Sequence, residues 1–274
     1  MAKKARRAPR LTASNADRHV LYAKAVQDVE HEIDFVDATY KKLRGRRPAR
    51  LREDFCGTAN SACEWVRRRP ENTAAGLDLD APTLAWAHAH TLASLTPDQR
   101  DRVTLLRRNV LTPGRAGARM DVVLAMNFSY WVFKARKDLV RYFRAVRASL
   151  APGGLFILDH YGGSDALREM SDRRACGGFT YIWEQERYNP INGDMTCHIH
   201  FAFPDGTRLR RAFTYHWRHW TLPELRDALD DAGFSKNTVY WEGEDARGEG
   251  NGVFRPRTTG DADPAFITFL VAER

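Results

Sequence analysis

The chain has 274 residues, 43% of them apolar, which is enough to bury one sizeable core with an elaboration. No run approaches the roughly 18 apolar residues of a membrane span, and the four cysteines (Cys56, Cys63, Cys176 and Cys197) are too sparse for a disulfide framework and lack zinc-site pairing, so a reducing cytoplasm and no metal are expected. Of the net charge of +8, five charges sit on Lys3, Lys4, Arg6, Arg7 and Arg10, and the +3 left for the remaining residues excludes a nucleic-acid footprint spread over the fold.

The basic tail at 1–15 reads as solvated and disordered, with no apolar segment after it to make a secretory leader. Residues 16–44 read as helical, with Val20, Leu21, Val26, Ile33, Phe35, Val36 and Tyr40 at helical spacing and Gly45 as the stop, so that 16–48 forms an N-terminal helical cap. Strands and helices then alternate: a first strand at 49–54, a helix at 58–69, "TAAGLDLD", a helix at 81–95, "RVTLL", "DVVLAM", a helix at 136–150 and "GGLFILD". Continuous apolar strands separated by helices specify a parallel sheet covered on both faces, here over 49–160. Three strand-like runs follow within 178–218, joined by turns at Asn192-Gly193 and Asp205-Gly206, and give an antiparallel excursion over 161–220. Thr221 and Glu224 make a capping box, and the final segment, 221–274, holds a helix and two strands at 236–242 and 265–272 around a Gly- and Arg-rich loop.

The stretch "LREDFCGTAN" (51–60) places a glycine turn after the first strand. Gly57 lies 21 residues before Asp78, which ends the second strand, and an acid at about that distance can hold both hydroxyls of a ribose. Asn109-Val110 after the third strand and Met126-Asn127 after the fourth point into the same crevice. A nucleotide-binding protein of another kind, such as a dehydrogenase, is the competing reading of these spacings.

In the order of these features, and in "LAPGG" before the fifth strand, the sequence resembles the class I S-adenosylmethionine-dependent methyltransferases. Their acid-x-Gly-x-Gly-x-Gly motif stands here as Glu53-x-Phe55-x-Gly57-x-Ala59, with two of three glycines replaced. The resemblance implies a Rossmann-like seven-stranded α/β fold with an N-terminal helical lid and an antiparallel excursion after strand five. It also implies S-adenosylmethionine as cofactor and S-adenosylhomocysteine as product. Asp78 would bind the ribose, Leu79 would pack on the adenine, and Asn109 with the backbone of Val110 would read the adenine edge. The turn Cys56-Gly57-Thr58-Ala59 and the carbonyl of Met126, with Asn127 beside it, would face the methionyl end, and Glu53 would support the turn or the ammonium. Gly57 is the position where backbone and ligand approach most closely. Phe55 is tolerated at little cost provided its torsions are ordinary and its ring turns away.

The excursion resembles that of small-molecule N-methyltransferases acting on glycine or on sugar amines, where a tyrosine on the N-terminal helix covers the cofactor, a role that falls to Tyr22. "NFSY" at 127–130 keeps the end residues of the Asn-Pro-Pro-Tyr motif of nucleic-acid amino methyltransferases but neither proline. The acceptor is expected to be a small amine or hydroxyl compound, in a pocket roofed by aromatics of 178–218 and lined by Tyr130 as orienting group and His160 as candidate base. An RNA or protein acceptor reached through the basic tail, and a non-catalytic binder, are the alternatives. His198 and His200 share one strand face that looks to solvent or to a second subunit in a homodimer, because no third ligand accompanies them for a metal.

Overall fold

The computed structural model describes residues 11–248 and 250–274. The basic residues at 1–10, with the roles considered for them, lie outside the described residues. In chain order the elements are α1 (Arg18–Val26), α2 (Val29–Arg44), β1 (Arg50–Asp54), α3 (Asn60–Arg68), β2 (Thr73–Asp78), α4 (Ala81–Ala89), α5 (Pro97–Asp101) and β3 (Val103–Arg107). Then come β4 (Met120–Ala125), α6 (Arg136–Ser149), β5 (Leu150–Gly162), β6 (Met170–Ala175), β7 (Thr180–Tyr188), β8 (Asp194–Ala202) and β9 (Arg208–Arg218). α7 (Leu222–Asp231), β10 (Lys236–Glu244), β11 (Gly250–Arg257) and β12 (Phe266–Glu273) close the chain. They form two compact units, the larger from 28–167 with 218–274 and the smaller from 11–27 with 168–217.

The larger unit is built on a sheet that, among the described residues, has the order β11-β10-β12-β5-β4-β1-β2-β3. β1 pairs in parallel with both β2 and β4, whereas β12 runs antiparallel to β5. The chain reverses its direction of progress between β1 and β4, and the carboxyl ends at such a switch point leave a crevice. One face of the sheet packs Leu51, Val122, Leu124, Leu155 and Ile157 against Ile33, Val36 and Tyr40 of α2 and against Trp65 of α3. α2 is held at its start by Asp28, whose carboxylate accepts from the His31 N–H, and ends at Gly45 with φ of 67°. Glu30 in its first turn and Lys41, Lys42 and Arg44 in its last complement the helix dipole. On the other face, α6 buries Leu139, Tyr142, Phe143 and Val146. There a fully buried Arg52 pairs with Asp54 at 2.8 Å and donates to the Gly117 carbonyl, while the Tyr142 hydroxyl donates to Asp54.

The smaller unit is a sheet of order β6-β7-β8-β9 among the described residues. Tyr181 stands opposite Phe201 and Trp183 opposite Ile199. α1 brings Leu21 and Ala25 onto a core of Phe179, Ile199, Phe201 and Ala212.

Three departures from the sequence reading have local causes. The helix expected over 16–44 is two helices. Gln27 is extended at φ −99°, ψ 130°, because Asp28 takes the cap position of α2. The excursion has a fourth strand, β6, whose polar "MSDRRA" is almost wholly exposed at the sheet edge and therefore shows no apolar alternation. The Gly- and Arg-rich loop contains β11, which among the described residues is an eighth strand of the large sheet, at its edge beside β10.

Candidate active site

The turn after β1 is left-handed at three alternate residues, only one of which is a glycine. Phe55, Gly57 and Ala59 have φ of 56°, 50° and 58°, all left-handed. The expectation of ordinary torsions at Phe55 is thus corrected: the shape of the turn is set by its surroundings. The Cys56 N–H donates to the Leu77 carbonyl and the Ala59 N–H to the Cys56 carbonyl, tying the turn to β2 and closing it on itself. The Phe55 ring turns into an aromatic group with Phe133 and Tyr142 at 6.1 and 5.6 Å between centroids. A Cβ on Gly57 would meet nothing nearer than Thr83 Cγ2 at 4.0 Å, so the space beside it is open to a ligand. Cys56 does the reverse with its side chain, which is buried against Gly76, where a Cβ would lie 2.9 Å from its sulfur. Only the backbone of Cys56 is available to the crevice, and burial raises its thiol well above the usual range.

Asp78 sits beside this turn. One carboxylate oxygen accepts from the Gly57 N–H at 2.8 Å and the other from the Asp80 N–H at 2.9 Å, which fixes the group at the end of β2. Leu79 next to it is 59% exposed. Asn109 is exposed and uses its side-chain carbonyl to accept from the Leu111 N–H, and Val110 is buried. Thr58 is buried and its hydroxyl accepts from Asn60. The carbonyl of Met126 is taken by Ser129, whose hydroxyl donates to it at 2.8 Å.

Three carboxylates that no cation neutralises stand behind the turn. Glu53 accepts from the Ala62 N–H at 2.9 Å, Glu32 accepts from the Ser61 hydroxyl at 3.4 Å, and Asp159 accepts from the Asn127 and Phe128 N–H groups at 2.7 and 3.0 Å. Asn127 and Phe128 both have φ of 56°, so two successive amides turn toward one anion. Burial pushes Glu32 and Glu53 up to about 8 and Asp159 to about 7, and Glu32 is raised further by the charges of Asp159 and Glu53. Among the described residues none of the three has an ion-pair partner. Glu32 and Asp159 escaped the sequence reading. An acid four residues before Val36 on the buried stripe of α2 was the available signal for the first. For the second it was an acid at the carboxyl end of strand five.

The acceptor-side expectations fare differently. Tyr130 is fully buried, and its hydroxyl donates to the Asp159 carbonyl. His160 is 1% exposed, packed among Trp131, His219 and Phe266 on the opposite sheet face from Asp159, and burial holds it down to about 3. Both belong to the core of the larger unit, which corrects the expectation that they line a pocket. Tyr22 lies in the smaller unit with its ring 5.0 Å from that of Phe213. In the same unit Tyr215 stacks on Trp217 at 4.2 Å, with Trp183 6.2 Å from Tyr215. His198 and His200 hydrogen-bond Glu186 and Glu184 at 3.0 and 2.9 Å.

The geometry fits a cationic, ribose-bearing ligand: a left-handed turn open at Gly57, a carboxylate at the end of β2, and uncompensated acids behind them. Residues 54–158 match the methyltransferase domain family. No curated protein matches the sequence. Among solved structures, an S-adenosylmethionine-dependent methyltransferase from Clostridium acetobutylicum superposes with a TM-score of 0.66 at 16% identity, over 93% of this chain and 96% of that one. An amino pentose methyltransferase from Micromonospora echinaspora, solved with S-adenosylmethionine bound, gives 0.65 at 19% over 93% and 95%. A sugar N-methyltransferase from Streptoalloteichus gives 0.64 at 18% over 100% and 98%. Residues 54–158 thus match the methyltransferase domain family, and the chain has the fold of the S-adenosylmethionine-dependent methyltransferases on which it superposes.

Proposed function

We propose that the protein transfers a methyl group from S-adenosylmethionine to a small-molecule amine or hydroxyl. The observation that carries the cofactor side is the set of Glu32, Glu53 and Asp159, three desolvated acids without a cation, beside a turn whose three left-handed residues fall on the glycine positions of the family motif. When bound, the cofactor supplies a methyl group activated on a sulfonium and an ammonium that meets these acids.

The chain's own residues hold and orient. Asp78, positioned by two backbone N–H groups, receives the ribose hydroxyls. Leu79 offers its exposed face to the adenine and the Asn109 amide donates to the base edge. Gly57 and its neighbours bring backbone close to the methionyl end, with Glu53 and Asp159 drawing the charged amino group. Methyl transfer is an in-line displacement, so alignment and exclusion of water account for most of what a protein contributes. Burial disfavours the charged form of His160 and its ring is turned inward, so this reading assigns it no proton. Support for a small acceptor comes from the aromatic content of β7 and β9 and from the sugar N-methyltransferases among the structural neighbours. A reducing cytoplasm as the site of action belongs to the same proposal.

Calorimetry with S-adenosylmethionine and with NAD tests the cofactor. One site per chain for the first and none for the second is expected, and the reverse pattern overturns the reading. Release of S-adenosylhomocysteine over a panel of small amines and alcohols tests the acceptor. Turnover only with RNA or protein, lost on removal of residues 1–10, would move the acceptor to a macromolecule.

A further inference from the structure

The outer face of the smaller sheet carries a charge arrangement that methyl transfer does not use. In register, Arg173 of β6 stands opposite Ile182 of β7, and Ile182 opposite His200 of β8, so the three side chains project from one face. Arg208 and Arg210 of β9, two residues apart, join them around a cleft of about 140 Å³ lined also by the buried Ile182 and by Ser171. Three guanidinium groups from two strands thus share one cleft.

Their isolation is informative. Most arginines with structural roles here are matched: Arg69 with Asp37, Arg136 with Asp231, Arg211 with Glu186. Arg173, Arg208 and Arg210 have no ion-pair partner among the described residues. The one acid in the cleft, Glu184, is taken by His200, whose Nε2 lies 2.9 Å away. The other ring nitrogen of His200 accepts the Arg211 backbone N–H at 3.0 Å, so Nε2 is the nitrogen that faces Glu184. Three guanidinium groups against one carboxylate leave the cleft a formal +2. Like charges gathered on one sheet face are destabilising. An anion placed between them removes that repulsion and gains charge-assisted, potentially bidentate bonds from planar guanidinium groups.

We propose that this cleft binds a small multivalent oxyanion of the phosphate class, free or carried on a small molecule. The volume suits such a group and is too small for a polymer segment. The site is made wholly by the smaller unit, and it stands independently of the methyl-transfer reading.

The test uses the full chain, with pyrophosphate and inorganic phosphate titrated calorimetrically at constant ionic strength. Pyrophosphate is expected to bind one site per chain and more tightly than phosphate. The double variant Arg208→Gln/Arg210→Gln is expected to lose at least about tenfold in that affinity, Arg173→Gln to lose less, and the exposed control Arg255→Gln to be unchanged. S-adenosylmethionine binding is expected to be the same in all four proteins, which checks the fold and separates this site from the one above. No saturable binding by the parent overturns the proposal, as does unaltered affinity in the double variant or an equal loss in Arg255→Gln. A parent that elutes as a dimer, and separates only when these arginines are replaced, reassigns the face to self-association.

Discussion

At the residue scale, the turn at 55–59 shows a backbone conformation outlasting the residue type that makes it easy. An L-residue in the left-handed region costs about 1–2 kcal/mol, yet Phe55 and Ala59 both hold it. Replacing Ala59 with Gly relieves that cost but gives up a buried methyl and gains chain entropy in the unfolded state, terms of similar size. The expected change in unfolding free energy is within about 0.5 kcal/mol by denaturant titration. Phe55→Gly relieves the same strain and forfeits aromatic packing worth about 2–4 kcal/mol, so it is expected to cost about 1–2 kcal/mol net while leaving cofactor affinity near the parent's. Loss of binding in a folded Phe55→Gly protein would place the ring against the ligand. Asp78→Ala removes an acceptor that also clamps the Gly57 N–H, and affinity for S-adenosylmethionine is expected to fall at least about tenfold. An unchanged dissociation constant would move the ribose elsewhere.

At the scale of elements, α2, β1, α3 and β5 converge to put Glu32, Glu53 and Asp159 in shared desolvation. Their pKa values are raised above those of the unfolded chain, so the folded state binds more protons between about pH 4.5 and 8. Stability from these groups is complete below the unfolded values and is lost as pH rises through 7 to 8. Ligand-free protein is therefore expected to show a falling melting temperature from pH 5.5 to 8. A cation makes the ionised forms favourable, so affinity for S-adenosylmethionine is expected to rise from pH 5.5 to 7.5, with proton release visible in buffers of different ionisation enthalpy. Above that window the ligand's own α-amino group, with a pKa near 7.7–8.0, begins to lose its charge. A flat affinity across the window would detach the acids from the ammonium. The opposite face of β1 tests a different balance: Arg52→Met leaves Asp54 buried with only the Tyr142 hydroxyl, and a loss of about 3–5 kcal/mol is expected from denaturant unfolding.

At the scale of the whole molecule, the chain leaves the large sheet after β5 and returns to it at α7, and the smaller unit is assembled from that excursion together with residues 11–27. Leu21 is the larger of the two side chains that α1 buries in its core, and Leu21→Ala is expected to cost the smaller unit about 2–5 kcal/mol. Hydrogen exchange should quicken over 170–217 and stay unchanged in β1, β4 and β5. Equal quickening in both units would show that they unfold as one.

The alternation of apolar strands with helices determined the parallel sheet, because strands buried on both faces must be apolar throughout. The 21-residue spacing from Gly57 to Asp78 determined that an acid at the end of the second strand stands beside the glycine turn, because crevice residues come from strand ends. Caps declared themselves too, as at Thr221 and Glu224. The polar edge strand β6 and the Gly-rich β11 were illegible, since an exposed edge needs no apolar pattern and its pairing is decided by the neighbouring strand. Which face of β5 each residue takes was also a tertiary matter. Strand alternation sends Asp159 toward α2 and His160 into the packing of Trp131 and His219, and one residue of register separates a carboxylate in the crevice from a histidine in the core. The left-handed torsions at Phe55 and Ala59 belong to that second class as well, because sequence preference opposes them and only hydrogen bonds and packing from β2, α3 and α6 hold them there.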